Sequence, residues 1–545
     1  MKWKWFTLGK YDRVPEGIVL PKDLSSFFAV SGYISASGEP AVLYGEGEEL
    51  LPVSLSGLYY PYMEKLPLLV IVRVPKEFSP SQAFVSGVPG KLLRLSHKEE
   101  WETLHQEIAK ALFSDPVLLL LSPEENEKEI YSLLFSLTLS ITPPSPSSSW
   151  EEEIRSLGEA LKRSSRPVFL LGGGGFHPTT REETLTSLIE IARNGKIPIL
   201  LTEGAISKYP EKVDRFFQEA SDLLLPPGSP LWALTLFRAD LLLLLGTAGS
   251  EVDGFGLSSF TFRGKKWGVT FSSSIPSDLR PIPLPLDRFI EILKEIVPPP
   301  RRKRTFPSLS RWEKFLSFYG KRARKSFPLH PAFVVSELTS TLKEGIFVTE
   351  GGSSGMWLKA YRKGSVIFPS QTGMIGVTPP LLYGARTAFP EEEKPIIGIM
   401  GDGGVLYHPL FLQRIGEEKL PLLLILLDDN SYGAIRLAQT FFFHGKYTGT
   451  DLPPREYLPI LYDLGWWGEK ISQPESWAKR LPYWIQRSRK QPVFLHIPIE
   501  KDSLPFCGFH FVLAELDGTL PSLWKPFLRS FFSATLKGKV PLAPP

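Results

Sequence analysis

The stretch PIIGIMGDGGVLYHP, residues 395–409, ends an apolar run on an aspartate set among glycines, Gly401-Asp402-Gly403-Gly404. A second stretch, LPLLLILLDDNSYGAIR at 420–436, repeats the pattern: a stronger apolar run ends on Asp428 and Asp429. Continuous apolar runs bounded by turn residues read as strands buried on both faces of a parallel sheet. In such sheets ligands bind beyond the carboxyl ends of the strands, and both acids fall there. Glycines beside Asp402 let a ligand approach the backbone and offer N–H groups to an anion. A helix opening soon after Gly404 would add its positive end. A carboxylate beside anion-binding amides is contradictory unless a cation lies between them. Mg2+ resolves this, because it takes oxygens from one or two carboxylates and from a diphosphate. A lone aspartate would read first as a cap of the next helix. Asp429, 27 residues after Asp402 at a matching strand end, favours a divalent-metal diphosphate site.

The same rhythm runs along the chain. Apolar runs closed by Gly, Pro, Ser or acid include PAVLYGEG (40–47), PLLVIVRVP (67–75), RPVFLLGGGG (166–175), ADLLLLLGTAG (239–249), GIFVTEGGS (345–353) and PVFLHIPIE (492–500). Helix-like segments such as REETLTSLIEIARNG (181–195) and HPAFVVSELTSTLKEG (330–345) lie between them. The expected class is α/β, built on parallel sheets. With 545 residues the chain exceeds one core. Pro/Ser-rich residues 137–150 and Pro-rich, basic residues 296–312 read as linkers. They divide the chain into units at 1–136, 151–295 and 313–500, followed by a tail at 501–545.

Composition excludes several classes. A net charge of +4 on this length argues for no nucleic-acid partner and no membrane surface. The one cysteine, Cys507, excludes an internal disulfide framework and a cysteine-ligated iron–sulfur cluster. The basic, aromatic N-terminus is followed by no apolar signal core, and the apolar runs fall short of a membrane span. A cytoplasmic protein is expected.

GDG, about 27 residues, then an acid- or Asn-rich turn resembles the thiamine diphosphate-dependent enzymes. GDGGVLYHPLFLQRIGEEKLPLLLILLDDNSYGAIR is similar to the diphosphate-binding domain of the acetolactate synthase and 2-oxo acid decarboxylase group, with DDNSYG where many members carry Asn-Asn-x-x-Tyr-Gly. The resemblance implies three doubly wound parallel-sheet domains: pyrimidine-binding, central Rossmann-like and diphosphate-binding. It implies thiamine diphosphate and Mg2+ as cofactors. Asp402 and Asp429 would ligate the metal by their side chains and Ser431 by its carbonyl; Asn430 is the alternative ligand, one position out of register. Gly403, Gly404 and Tyr432 fall in the cofactor-binding block, Tyr432 with a structural part. IFVTEGGSSGMW (346–357) resembles the loop that touches the diphosphate, which brings in Gly351 and Ser353. SQTGMIGVTPPLLYGARTAFP (370–390) resembles the segment under the bent cofactor, with Gly373, Met374 and Ile375. There the Gly373 carbonyl would accept the aminopyrimidine amine, and Ile375 would either hold the bend or simply pack in the core.

In this family an N-terminal glutamate from a second subunit activates the cofactor's pyrimidine. DLSSFFAVSGYISASGEPAVLYGEGEELLP (23–52) resembles that region, but the glutamate position falls on Asp23, and the family's Gly-Pro-Gly becomes Gly45-Glu46-Gly47. Aspartate is one methylene, about 1.5 Å, shorter, whereas catalytic hydrogen bonds need ~2.6–3.2 Å between heavy atoms. Asp23 therefore reads either as the activating carboxylate or as a cap of the following helix. Ile435 and Ala438 stand where decarboxylases and synthases place a glutamate and a tryptophan, and His444 reads as a proton donor or a solvated residue. GGGGF (172–176) is not a dinucleotide fingerprint, so no nucleotide is assigned to the central unit. The resemblance implies a lyase or transferase acting on a small 2-oxo acid, decarboxylating without oxidation, with or without carboligation, as a homodimer or homotetramer. The departures at the N-terminus leave open a weak or inactive paralogue that partners a related synthase.

Overall fold

The structure, a computed structural model, describes residues 3–11, 17–79, 81–97, 100–113, 115–122, 150–225, 227, 230–247, 264–270, 278–299, 309–323, 327–390 and 394–503. Most of the linker at 137–150, part of that at 296–312, most of the 501–545 tail and Cys507 lie outside the described residues.

Three parallel sheets carry the fold. The first holds β1 (Lys4–Leu8), β2 (Ile18–Leu20), β3 (Ala41–Glu46), β4 (Leu68–Arg73), β5 (Lys91–Leu95) and β6 (Val117–Leu121), in the order β2-β1-β3-β4-β6-β5. The second holds β7 (Pro167–Leu171), β8 (Ile199–Leu201), β9 (Leu224–Leu225), β10 (Leu241–Leu245), β11 (Lys265–Val269) and β12 (Leu279–Ile282), in the order β12-β11-β10-β7-β8-β9. The third holds β13 (Ile346–Thr349), β14 (Ile396–Gly401), β15 (Leu423–Asp428), β16 (Trp467–Lys470) and β17 (Val493–Pro498), in the order β13-β14-β15-β17-β16. The central strands are buried over all or all but one terminal residue of their length; the five leucines of β10 are buried throughout. Helices on both faces demand such uniformly apolar strands.

Six helices position the candidate site: α1 (Ser25–Ser37), α2 (Leu50–Met63), α3 (Ser353–Tyr361), α4 (Thr378–Ala388), α5 (Pro409–Glu417) and α6 (Gly433–Phe442). Every residue of α1 from Ser25 to Ala36 is buried, and such a helix must be covered all round. It lies against α4, and residues of the first and third sheets share one packed core around the two. Glycines make the crossing close. A Cβ on Gly384 would stand 1.8 Å from the Ala29 carbonyl oxygen, and one on Gly32 2.4 Å from that of Leu381. Ala29 faces Gly384 and Gly32 faces Leu381, so the helices run antiparallel. Among the described residues no helix is long and apolar enough to cross a membrane.

Candidate active site

Three neighbouring strands of the third sheet run into acids: β13 into Glu350, β14 into Asp402, and β15 into Asp428 and Asp429. Gly401 pairs with Leu427 in the β14–β15 register, which sets Asp402 beside the Asp428–Asp429 pair. Asp402 is buried, and its carboxyl is pushed well above the usual range, first by burial, then by the charges of Asp429 and Asp428. Asp429 is raised to about 6, chiefly by burial. Asp428 behaves oppositely. Burial alone would raise it, but hydrogen bonds from the His496 ring (2.6 Å) and the Asn430 N–H (3.1 Å) more than offset that and hold it low. Asp428 also shares a hydrogen bond with Asp402.

Among the described residues no group of three His, Cys, Asp or Glu side chains is placed to hold a metal. The site offers two carboxylates and a carbonyl. Ser431 pairs with Asp451 through the Asn430 carbonyl, bonded to the Leu452 N–H at 2.8 Å, and the Tyr432 N–H, bonded to the Thr450 carbonyl at 2.9 Å. In that antiparallel arrangement the Ser431 carbonyl points away from the partner strand. Such a set of hard oxygens suits Mg2+ only if a ligand supplies the remaining oxygens, as a diphosphate does.

The loops around the acids approach as closely as glycine allows. A Cβ on Gly351 would meet the Gly373 carbonyl oxygen at 1.9 Å, and one on Gly404 the Gly376 nitrogen at 2.6 Å. A Cβ on Gly403 would strike the Tyr432 ring at 2.8 Å, and one on Gly433 the Ser353 hydroxyl at 2.6 Å. The Gly351 N–H donates to the Met374 carbonyl at 2.7 Å. Gly373 is exposed at φ +60, Met374 packs against the core shared by α1 and α4, and Ile375 is half-buried outside the packed cores. A cleft lined by Ser353, Asp429, Gly433, Leu437, Thr440 and Asp502 opens beside them. The expected helix after Gly404 begins at Pro409, after a turn; α3, opening at Ser353, and α6, opening at Gly433, are the helices whose positive ends meet these loops.

Glu350 escaped the reading of the sequence. It is buried, and burial raises its carboxyl to about 8 against the hydrogen bonds it accepts from the N–H groups of Gly376 (2.7 Å) and Gly401 (3.2 Å). The signal was present: β13 ends on an acid as β14 and β15 do.

Asp23 is not gathered with these groups in one chain. Its Oδ1 accepts the Ser25 N–H at 2.8 Å and the Ser25 hydroxyl, which caps α1. That end of α1 lies along the C-terminal part of α4, whereas Gly373–Gly376 lead into the N-terminus of α4. The charge of Asp23 reaches His408, favouring its protonated form against the burial that lowers its pKa. Ile435 is exposed, and His444 is exposed at φ +52.

Residues 350–497 match the model of the thiamine pyrophosphate enzyme C-terminal TPP-binding domain. That part of the chain is therefore similar to the TPP-binding domain of the thiamine pyrophosphate enzymes. It is 20% identical to the mitochondrial acetolactate synthase of Schizosaccharomyces pombe, over 76% of this chain and 61% of that protein. It is 23% identical to the acetolactate synthase large subunit of Corynebacterium glutamicum, over 58% of this chain and 50% of that one. With the large subunit of Parasynechococcus marenigrum it shares 20% over 88% of this chain and 80% of that one. The chain thus spans half to three fifths of the length of the first two relatives. The chain is thus similar to acetolactate synthases, and the region that matches the TPP-binding domain contains every one of the strand-end acids described above.

Proposed function

We propose that this protein is a Mg2+- and thiamine diphosphate-dependent enzyme that decarboxylates a 2-oxo acid without oxidation, with or without joining the product to a second carbonyl. The observation that supports this is the placement of Asp402 beside the Asp428–Asp429 pair at neighbouring strand ends, among loops in which Gly351, Gly403 and Gly404 leave no room for a Cβ. The buried carboxylates repel one another, and a divalent cation relieves exactly that kind of crowding. Asp402 and Asp429 would hold the metal, and the N-termini of α3 and α6, opening at Ser353 and Gly433, would hold the diphosphate. When bound, thiamine diphosphate supplies a carbon nucleophile for the 2-oxo acid's carbonyl and an electron sink as CO2 leaves.

The remaining steps fall to the chain. Gly373 would offer its carbonyl to the cofactor's amine, Met374 and Ile375 would support its ring, and Tyr432 packs against Gly403 beside Asp402. Asp23 lies away from the Gly373–Gly376 end within one chain, which supports a site completed by Asp23 of a second copy, in a homodimer or homotetramer. The test is calorimetric titration of the purified full chain with thiamine diphosphate, with and without Mg2+, followed by CO2 release from a panel of 2-oxo acids. Mg2+-dependent binding and turnover are expected. Absence of Mg2+-dependent binding would refute the reading, and binding without turnover would refute its catalytic part.

A further inference from the structure

Residues 370–377 belong to no helix or strand, so no ladder of backbone hydrogen bonds fixes their path. An irregular segment's position depends on the groups that take up its N–H donors. Here two buried carboxylates do so, one at each end. Glu64, just past α2 and 3% exposed, accepts the Ser370 hydroxyl at 2.6 Å on one oxygen and the Gln371 N–H at 2.8 Å on the other. The Glu64 carbonyl in turn accepts the Lys208 ammonium, which comes from the unit of the second sheet. Glu350, also 3% exposed, accepts the Gly376 N–H at 2.7 Å on one oxygen and the Gly401 N–H at 3.2 Å on the other. One carboxylate belongs to the unit of the first sheet; the other belongs to the strand beside Asp402. Burying a carboxylate is costly unless its hydrogen bonds compensate. Ser370 and Gln371 contribute to that compensation at Glu64, and Gly376 does so at Glu350 beside Gly401 and the Thr378 hydroxyl (3.4 Å).

We propose that Glu64 and Glu350 are positioning residues that sling the segment 370–376 between two fixed points and so set the height of Gly373, Met374 and Ile375 above the metal-binding strand ends. The proposal rests on the reading above that these three residues support the cofactor. It adds that their placement is set from outside the segment, and that Glu64 ties it to the first and second units of the chain.

The test is hydrogen–deuterium exchange on the full-length protein without cofactor, for wild type, Glu64→Gln, Glu350→Gln and the milder Ser370→Ala. Glutamine keeps the volume but replaces one acceptor oxygen by a donor, which then faces an N–H or hydroxyl donor. Exchange of amides in 370–378 is expected to quicken about tenfold, with the amides of β15 unchanged. In Glu64→Gln and Glu350→Gln, thiamine diphosphate affinity in the presence of Mg2+ is expected to fall about tenfold, and Glu350→Asp, which keeps both acceptor oxygens, is expected to recover part of it. Unchanged exchange in 370–378, or equal acceleration in 370–378 and β15 in all three variants, would overturn the proposal. If wild type binds no thiamine diphosphate while the local acceleration is present, the slung segment stands and the cofactor reading falls.

Discussion

Replacing Gly384 by alanine tests whether α1 and α4 are locked as closely as the structure places them. The new Cβ would lie 1.8 Å from the Ala29 carbonyl oxygen, 2.6 Å from the Tyr33 nitrogen and 2.9 Å from the Ala29 carbonyl carbon. A carbon–oxygen contact needs about 3.3 Å, so the helices must part by about 1.5 Å. All three obstructing atoms are backbone, so no rotamer change relieves them. Gaps of 0.5–1 Å already forfeit about a quarter to a half of a contact's attraction, so a larger separation strips the crossing. Overpacking of this kind costs about 3 kcal/mol. Alanine's better helix propensity returns about 1 kcal/mol, leaving a net loss of about 2 kcal/mol. For a cooperative unit of domain size this lowers the unfolding midpoint by about 4–8 °C. Thermal and urea unfolding followed by circular dichroism would measure it, with Gly87→Ala as control, since nothing lies within 4 Å of a Cβ there. Gly32→Ala, 2.4 Å from the Leu381 carbonyl oxygen, should lose stability in the same direction. A Gly384→Ala protein as stable as wild type would refute the close crossing. Because α4 begins just after Gly376, the variant should also weaken thiamine diphosphate binding.

Other substitutions probe the charges. Asp402→Asn should stabilise the metal-free protein by about 1–2 kcal/mol by removing a buried repelling carboxylate, and should abolish the rise in melting temperature that Mg2+ with thiamine diphosphate gives wild type; differential scanning calorimetry reads both. Asp23→Ala should cost about 1 kcal/mol through loss of the α1 cap, whereas Asp23→Glu, with its longer reach, should raise CO2 release if a second copy's carboxylate activates the cofactor. Burial lowers His330 from 6.5 to about 4, while it accepts the Ala332 N–H. As pH falls below 6.5 the unfolded chain takes up that proton and the folded chain does not, so stability should drop by up to about 3 kcal/mol between pH 6.5 and 4. His330→Asn, which keeps a capping acceptor, should flatten that slope in unfolding experiments at stepped pH.

The parallel sheets were legible because strands buried on both faces must be uniformly apolar, as LLLLL at 241–245 and PLLLILL at 421–427 are. The pairing of Asp402 with the Asp428–Asp429 doublet followed from the same pattern, since neighbouring strands that stop on acids at one carboxyl edge bring those acids side by side. Two things were not legible, for different reasons. Glu350 obeys the same rule but points its carboxylate back into the protein, onto the N–H groups of Gly376 and Gly401. Strand-end position alone does not separate a carboxylate offered to a ligand from one spent on the scaffold. Glu64 has no local signature, because what gives it meaning lies 306 residues away at Ser370. The same distance problem governs Asp23. Its immediate sequence specifies a helix cap, and the structure shows that cap formed, while its chemistry depends on which Gly373–Ile375 segment it faces. The antiparallel register of α1 on α4 sets Asp23 toward the end of α4 opposite the segment of its own chain, so on the proposed reading Asp23 would act on a cofactor where a second copy brings that segment to it.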